Sequence, residues 1–298
     1  MAEILIIGAS IVDILARPVK KEVFETGSAS MEEICMTTGA DGLNEALILA
    51  KLGKNVNLET VIGDDAAGKL IAGRLKEAGI AVEERQIRKD IPTGINIVLV
   101  DERGERSFLT NPNGSLRRLT LSDIQMPFAA DVEILCFASI FVFPEIKTAE
   151  LVQIFSQAKK QGIIVCADMT KRKCGETLED MEEAFSYIDY LMPNEEEACL
   201  LTGEADAEHA AEKIISAGVK HVIVKCGRRG CLVKTAQESY MVPAKSGVNC
   251  IDTTGAGDSF AAGFISALSE KKTLRECAEF ANECGARAVE VVGAVEWL

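Results

Sequence analysis

Short runs rich in β-branched and other apolar residues recur along the chain: EILIIGAS, VEILCFAS, GIIVCADM, YIDYLMPN and HVIVKCG, with helix-length segments between them. That alternation leaves few architectures open. Strands that are apolar on both sides must be covered on both sides, as in a parallel sheet. The segments 43–52, 66–78, 146–160, 195–202 and 208–217 predict the covering helices; in LVQIFSQAKK, Leu151, Phe155 and Ala158 fall on one face, as packing against a sheet requires. The expectation is an α/β fold with a mostly parallel central sheet and helices on both sides. Two stretches break the pattern: roughly 14–37, and TGINIVLVDERGERSFLTN at 93–111, which reads as a hairpin turning at Asp101 to Gly104. Together they are expected to form a small β-lid. Without internal repeats, low-complexity tracts or a linker, 1–298 reads as a single domain carrying that lid.

Composition removes several function classes. With 48% hydrophobic and 26% charged residues the chain of 298 residues is not disordered. A net charge of −14, from 46 acids and 32 bases, opposes nucleic-acid or acidic-membrane partners. The opening MAEILIIGAS lacks a basic n-region and a long apolar core, and no segment reaches membrane-spanning length, so a cytoplasmic location is expected. Ten cysteines without a C-x-x-C pair read as buried thiols. His209 and His221 are the only histidines, so metal or triad chemistry based on imidazole is unsupported. Catalysis falls to carboxylates, amides and backbone.

Ligands in open α/β sheets bind beyond the carboxyl ends of the strands. Asp13, Ser139, Asp168 and Asn194 stand there, each with helix capping as its alternative. The stretch DTTGAGDSF, Asp252 to Phe260, adds a second signal. Phe260, Phe264, Ile265 and Leu268 follow helical spacing, so Gly255, Ala256 and Gly257 open a helix where unpaired N–H groups bind anions. Asp258 then stands beside that site as a candidate general base.

DTTGAGDSFAAGF is very similar to the C-terminal signature of the ribokinase-like (PfkB) carbohydrate kinase family. GADGLNEALILAKLG (39–53), GDDAAGKLIAGRLKEAGI, TGINIVLVDERGERSF, LMPNEEEACLLTG and VIVKCGRRGCLV resemble its other motifs in order along nearly the whole chain. The resemblance implies a three-layer ribokinase-like sandwich, ATP and Mg²⁺, Asp258 as catalytic base and Gly255, Ala256 and Gly257 as anion hole. It implies Asn194 and Glu197 for Mg²⁺, mostly through water, and Lys225, Gly227, Gly230 and Asn282 for the nucleotide. On the acceptor side it implies Asp13, Gly39, Asp41 and Asn44, with Phe108 available to pack on a nucleobase. Many members use a monovalent cation, which places K⁺ at Asp252 and the carbonyls around VVGAVE.

The expected acceptor is the hydroxyl of a neutral sugar, or a nucleoside of the adenosine or pseudouridine type as the alternative. Asp41 stands where several members carry lysine, which disfavours acidic acceptors; Arg106, Arg117 and Arg118 are the cations that would serve one. The family's second glycine is Ala40 here, and D-x-N-x-R becomes ADMTKRK, with Asp168 and Arg172. GDDAAGK ends in Leu70 instead of the P-loop hydroxyl. A dinucleotide oxidoreductase lacks its G-x-G-x-x-G after the first strand, and a non-catalytic binding protein leaves Asp258 unexplained. The exposed edges of a small lid lead to the expectation of a homodimer.

Overall fold

The computed structural model describes residues 3–103 and 105–297; Gly104, at the expected hairpin turn, lies outside them. The first half of the chain runs β1 (Glu3–Ile7), β2 (Ile11–Arg17), α1 (Val23–Thr26), β3 (Glu33–Gly39), α2 (Asp41–Lys51), β4 (Asn55–Glu59), β5 (Ile62–Gly63), α3 (Ala66–Glu77), β6 (Ile87–Arg88), β7 (Gly94–Val100), β8 (Arg106–Thr110) and β9 (Val132–Ile140). There follow α4 (Thr148–Lys160), β10 (Ile164–Met169), α5 (Leu178–Phe185), β11 (Tyr190–Leu191), α6 (Glu195–Thr202), α7 (Ala207–Ser216), β12 (His221–Lys225), β13 (Cys231–Thr235), β14 (Ser239–Val242), α8 (Ala256–Ser269) and α9 (Leu274–Ala288).

Eight strands form the central sheet in the order β14-β13-β12-β11-β10-β9-β1-β4. From β4 to β12 every pairing is parallel; β12, β13 and β14 are antiparallel. Alternate residues feed two cores. Leu5, Ile7, Leu135 and Phe137 pack with Phe155 of α4 and Phe185 of α5, whereas Ile4, Ile6, Ile134 and Cys136 pack with Leu43 of α2 and Phe264 of α8. The result is three layers, helix on sheet on helix.

α2 is buried almost all round, from Gly42 to Leu49, so it lies inside the protein. Its close seat on β1 depends on two glycines: a Cβ on Gly42 would stand 2.6 Å from the Cα of Gly8. That contact holds Asp41 and Asn44 over the end of β1.

The second sheet has the order β3-β2-β7-β8, with β2 and β7 parallel and both outer pairs antiparallel. It begins at Ile11, because only Gly8–Ser10 separate it from β1. Asp13 therefore lies inside a strand of this sheet, and not beyond the end of a central strand. YIDYLMPN likewise supplies only the two paired residues of β11. β4 and β14 are edge strands whose short alternating patterns drew no sequence assignment. In GDDAAGK, Asp65 caps α3 by accepting the N–H of Gly68 at 2.8 Å.

Ala40, directly before α2, has φ 77° and ψ 149°. This region is almost confined to glycine and costs a residue with a side chain about 1–3 kcal/mol. Part of that is offset by the greater freedom glycine has when unfolded. Ala40→Gly is expected to stabilise the chain by about 1 kcal/mol, read as a higher urea midpoint at unchanged slope. A lower midpoint would show that the surroundings relieve the strain.

Candidate active site

α8 starts at Ala256, with Gly255 as its N-cap in the left-handed region at φ 70°. A Cβ on Gly255 would lie 2.5 Å from the Cα of Ala294, so the position needs glycine both for its φ and for the segment crossing over it. The first turn of a helix leaves N–H groups without intrahelical partners. Ala256, Gly257 and Asp258 bring that turn to the wall of a cleft of about 920 Å³. Gly257 lies beside the Lys225 ammonium: a Cβ there would stand 3.6 Å from Lys225 Nζ, an ordinary contact.

Lys225, at the end of β12, pairs with Asp168 Oδ2 at 2.5 Å; the side chains are 14% and 7% exposed. Asp168, in β10, also accepts the N–H of Met169 at 2.7 Å. Around this ammonium stand Asp41, Glu197 and Asp258, which share the cleft wall, and Glu45 one turn along α2 from Asp41. Desolvation raises the Asp258 carboxyl above its usual range, and nearby Asp168 adds to this against the pull of Asn44 and Lys225. Asp41 is held well above its range by desolvation, then by Asp258 and Asp168. Glu45 is fully buried and well raised by the same causes. Lys225 loses by desolvation but gains more from Asp168 and Glu197, so it stays charged.

Asn44 Nδ2 donates to Asp258 Oδ2 at 2.6 Å. This bond joins α2 to α8 at the proposed base. Asn44 Oδ1, Asp13 Oδ1 and Asn96 Oδ1 are buried acceptors without a protein donor. Asp13 is raised by desolvation, against a hydrogen bond from Asn96 and the charge of Arg106. Gly39 pairs across from Ile11, and a Cβ on it would collide with the Asp13 carboxylate. Phe108 shares a sheet face with Asp13 by register, but its side chain is 58% exposed and outside the cleft wall.

On the far side, Gly227 and Gly230 form the turn between β12 and β13 and line the cleft with Lys245, Asn249 and Val289. Asn282 lines it too. Its amide is spent on backbone, donating to Val242 O at 3.1 Å and Pro243 O at 3.3 Å, so it pins the loop after β14. Arg172 turns away, donating to Glu176 O at 2.9 Å.

Asn194 caps α6 by accepting the Glu197 N–H at 2.9 Å, and Glu197 Oε2 accepts the Asn194 N–H at 2.8 Å. Desolvation pushes the Glu197 carboxyl up to about 7, against Lys225. Among the described residues no group of three His, Cys, Asp or Glu could grip a metal. One amide and one carboxylate, each half engaged, fit a hydrated Mg²⁺ that arrives on phosphate. Asp252, the residue expected to hold K⁺, already carries a guanidinium. Its Oδ1 accepts from Thr254 and from the Arg106 guanidinium, and its Oδ2 accepts the Gly293 N–H at 3.1 Å.

The sequence pattern of pfkB family carbohydrate kinases matches residues 1–297. The chain belongs to that family. Its relatives include a ribokinase of Schizosaccharomyces pombe, 29% identical over 99% of this chain and 94% of the other. An Arabidopsis thaliana ribokinase is 32% identical over 86% and 68%. Among solved structures, Thermotoga maritima ribokinase superposes with a TM-score of 0.82 at 29% identity, covering 100% and 96% of the two chains. Arabidopsis thaliana ribokinase complexed with ribose and ATP gives 0.82 at 26%, covering 100% and 95%. As a pfkB kinase the chain is a phosphotransferase with an alcohol group as acceptor.

Asp41, Asn194, Glu197, Lys225, Gly227, Gly230, Ala256, Gly257, Asp258 and Asn282 share the cleft wall. Asn44 joins through Asp258, and Asp13 and Gly39 pack on each other in the second sheet. Three features of this pfkB chain escaped sequence reading: the Arg106–Asp252 contact, Asn96 beside Asp13, and Glu45. Only Glu45 left a signal, an acid inside an otherwise apolar helical face.

A carboxyl raised by burial, such as Glu197 at about 7, keeps its proton to a higher pH in the fold than in the unfolded chain. Its stabilising effect is complete below the unfolded pKa of about 4.5 and is lost as pH rises through the folded value. Between pH 6 and 8 the ligand-free protein should therefore weaken as pH rises, by up to about 1.4 kcal/mol per pH unit for each full proton. Exposed His209 is raised by Asp206 and acts in the same direction, so the comparison with Glu45→Gln is the diagnostic one. Unfolding in urea at pH 6, 7 and 8 should show a flatter pH dependence in Glu45→Gln. Parallel curves would mean that Glu45 is ionised in the fold.

Proposed function

We propose that the chain transfers the terminal phosphoryl group of ATP to a hydroxyl of a neutral sugar of ribose or fructose type, within one catalytic unit whose second sheet acts as lid. The observation that carries this is the position of Asp258. It sits one residue past Gly257 at a helix N-terminus and is bonded by Asn44, whose Oδ1 is a buried acceptor without a donor, so one carboxylate borders both the anion site and an unfilled acceptor. Asp258 takes the proton of the acceptor hydroxyl. The freed oxygen attacks the terminal phosphorus, and the bond from that phosphorus to the ADP oxygen breaks. Backbone N–H groups of 255–257, of which that of Ala256 is donated to Thr253 O at 3.3 Å in the ligand-free protein, receive the charge gathering on the phosphoryl oxygens, with Lys225 beside them. Bound Mg²⁺ supplies charge neutralisation and phosphate orientation, with Asn194 and Glu197 as its protein contacts through water.

Asp13 Oδ1, Asn44 Oδ1 and Asn96 Oδ1 ask for donors, which a polyhydroxylated molecule supplies. Asp13, on the acceptor side, disfavours an acceptor that carries its own carboxylate or phosphate. The complex of Arabidopsis thaliana ribokinase with ribose and ATP supports this choice. Phe108, aromatic and exposed on the Asp13 face, favours a nucleoside as the second reading. Ten cysteines without a disulfide among them, together with a need for ATP, support the cytoplasm as location.

The test is ADP release with ribose, fructose, a ribonucleoside, an acidic sugar and a sugar phosphate. Turnover is expected with at least one neutral acceptor, and Asp258→Asn should lower kcat by about 10²-fold or more with nucleotide affinity retained. Preference for an acidic acceptor overturns the neutral reading; near-parental kcat in Asp258→Asn overturns the base.

Ile34, Met36 and Leu109 are exposed by 68%, 62% and 55% on the sheet face opposite Asp13, in register with Ile14 and Ile97. An apolar face of this kind on a four-stranded sheet calls for cover. A second copy of the chain is the proposed cover. Light scattering should give a dimer at micromolar concentration and a monomer for Met36→Lys combined with Ile97→Lys. A monodisperse parental monomer would refute the pairing.

A further inference from the structure

Arg106 reaches from β8 into the loop that leads to Gly255. Its two terminal nitrogens divide between two acceptors, Asp252 Oδ1 and Thr254 Oγ1. The Asp252 carboxylate is 8% exposed and filled from the other sides as well: Oδ1 takes the Thr254 N–H at 3.0 Å and its hydroxyl at 2.7 Å, and Oδ2 takes the Gly293 N–H at 3.1 Å. Gly293 adjoins Ala294, the residue against which Gly255 packs. The Thr254 and Gly293 contacts of this carboxylate therefore hold the backbone around Gly255.

Three donors converge on Asp252 Oδ1, one of them a guanidinium, whose charge repels an alkali cation approaching the same carboxylate. We infer that Arg106 is the resident cation of this loop, a positioning residue that orients the N–H groups following Gly255 and ties the anion hole to the second sheet. A guanidinium suits the task because its planar fork bonds two acceptors in fixed relative positions, which a single ammonium does not reproduce. Because Arg106 belongs to β8 and Asp13 to β2 of the same sheet, a shift of that sheet moves the anchor of the anion-hole loop.

The test uses the full-length protein with Arg106→Gln and Arg106→Lys. Hydrogen exchange of the ligand-free protein reads the loop without any substrate: amides of 252–258 should exchange faster in Arg106→Gln, while the central strands keep parental protection. Arg106→Lys keeps the charge and should recover little of that protection. The kinetic half rests on the kinase function proposed above. The parent should turn over equally in potassium and tetramethylammonium buffers, and Arg106→Gln should lose about 10²-fold in kcat, the scale of a misplaced reacting group, with the acceptor KM changed far less. Unchanged exchange at 252–258 overturns the inference, as does potassium activation of the parent. A raised acceptor KM at intact kcat also overturns it and assigns Arg106 to the acceptor. If the parent turns over no acceptor, the kinase reading fails, whereas the exchange result still decides the role of Arg106.

Discussion

Everything at the cleft depends on how the Lys225 ammonium is balanced. It is almost out of water and held by Asp168 at 2.5 Å. Removing one partner of such a pair costs about 3–5 kcal/mol, because the other charge is left buried. The balance is nevertheless lopsided: Asp41, Asp168, Glu197 and Asp258 share the cleft wall with Lys225, while Arg228 and Lys245 on that wall are exposed. Desolvation raises these four carboxyls and that of Glu45, one turn along α2 from Asp41, so burial opposes the build-up of negative charge in this cluster. An acid-rich floor for a polyanionic substrate is then no contradiction, provided that a divalent cation comes with the phosphates.

The fold supplies the rest of the field. Parallel strands joined by crossover helices deliver helix N-termini to the carboxyl edge of the sheet. Here three of them meet: α2 opens at Asp41, α6 at Asn194 and α8 at Gly255, all around the ends of β10 and β12. Their dipoles present partial positive charge to the cleft. The acids at these starts thus complement a helix dipole and serve the site together, which is why capping and function could not be told apart residue by residue.

The strands and helices of the three layers were legible because burial on both sheet faces imposes long apolar runs, as in Val132–Ile140, and a 3.6-residue period, as in Thr148–Lys160. β4 and β14 were not, because an edge strand half covered by solvent carries a weak pattern. Asp258 and its glycines were legible because the anion site is contiguous in sequence. The Arg106–Asp252 contact, 146 residues apart, depends on how the second sheet sits against the anion-hole loop, and no local pattern encodes that. Asn282 shows the converse: its position in the late helix was readable, whereas its amide turned out to serve the backbone of Val242 and Pro243.

A kinase that binds its nucleotide in an open, wet cleft risks giving the phosphoryl group to water. On the function proposed above, protection comes from building the site out of two sheets. The central sheet carries the phosphate-facing groups, Lys225 and the start of α8. The second sheet carries Asp13, whose buried Oδ1 lacks a donor, and Arg106, whose charge acts on Asp13 as well as on Asp252. A sugar that supplies the missing donors to Asp13 therefore stabilises the sheet from which Arg106 reaches the anion-hole loop. The completed anion hole is then favoured when a hydroxyl is in place to receive the phosphoryl group.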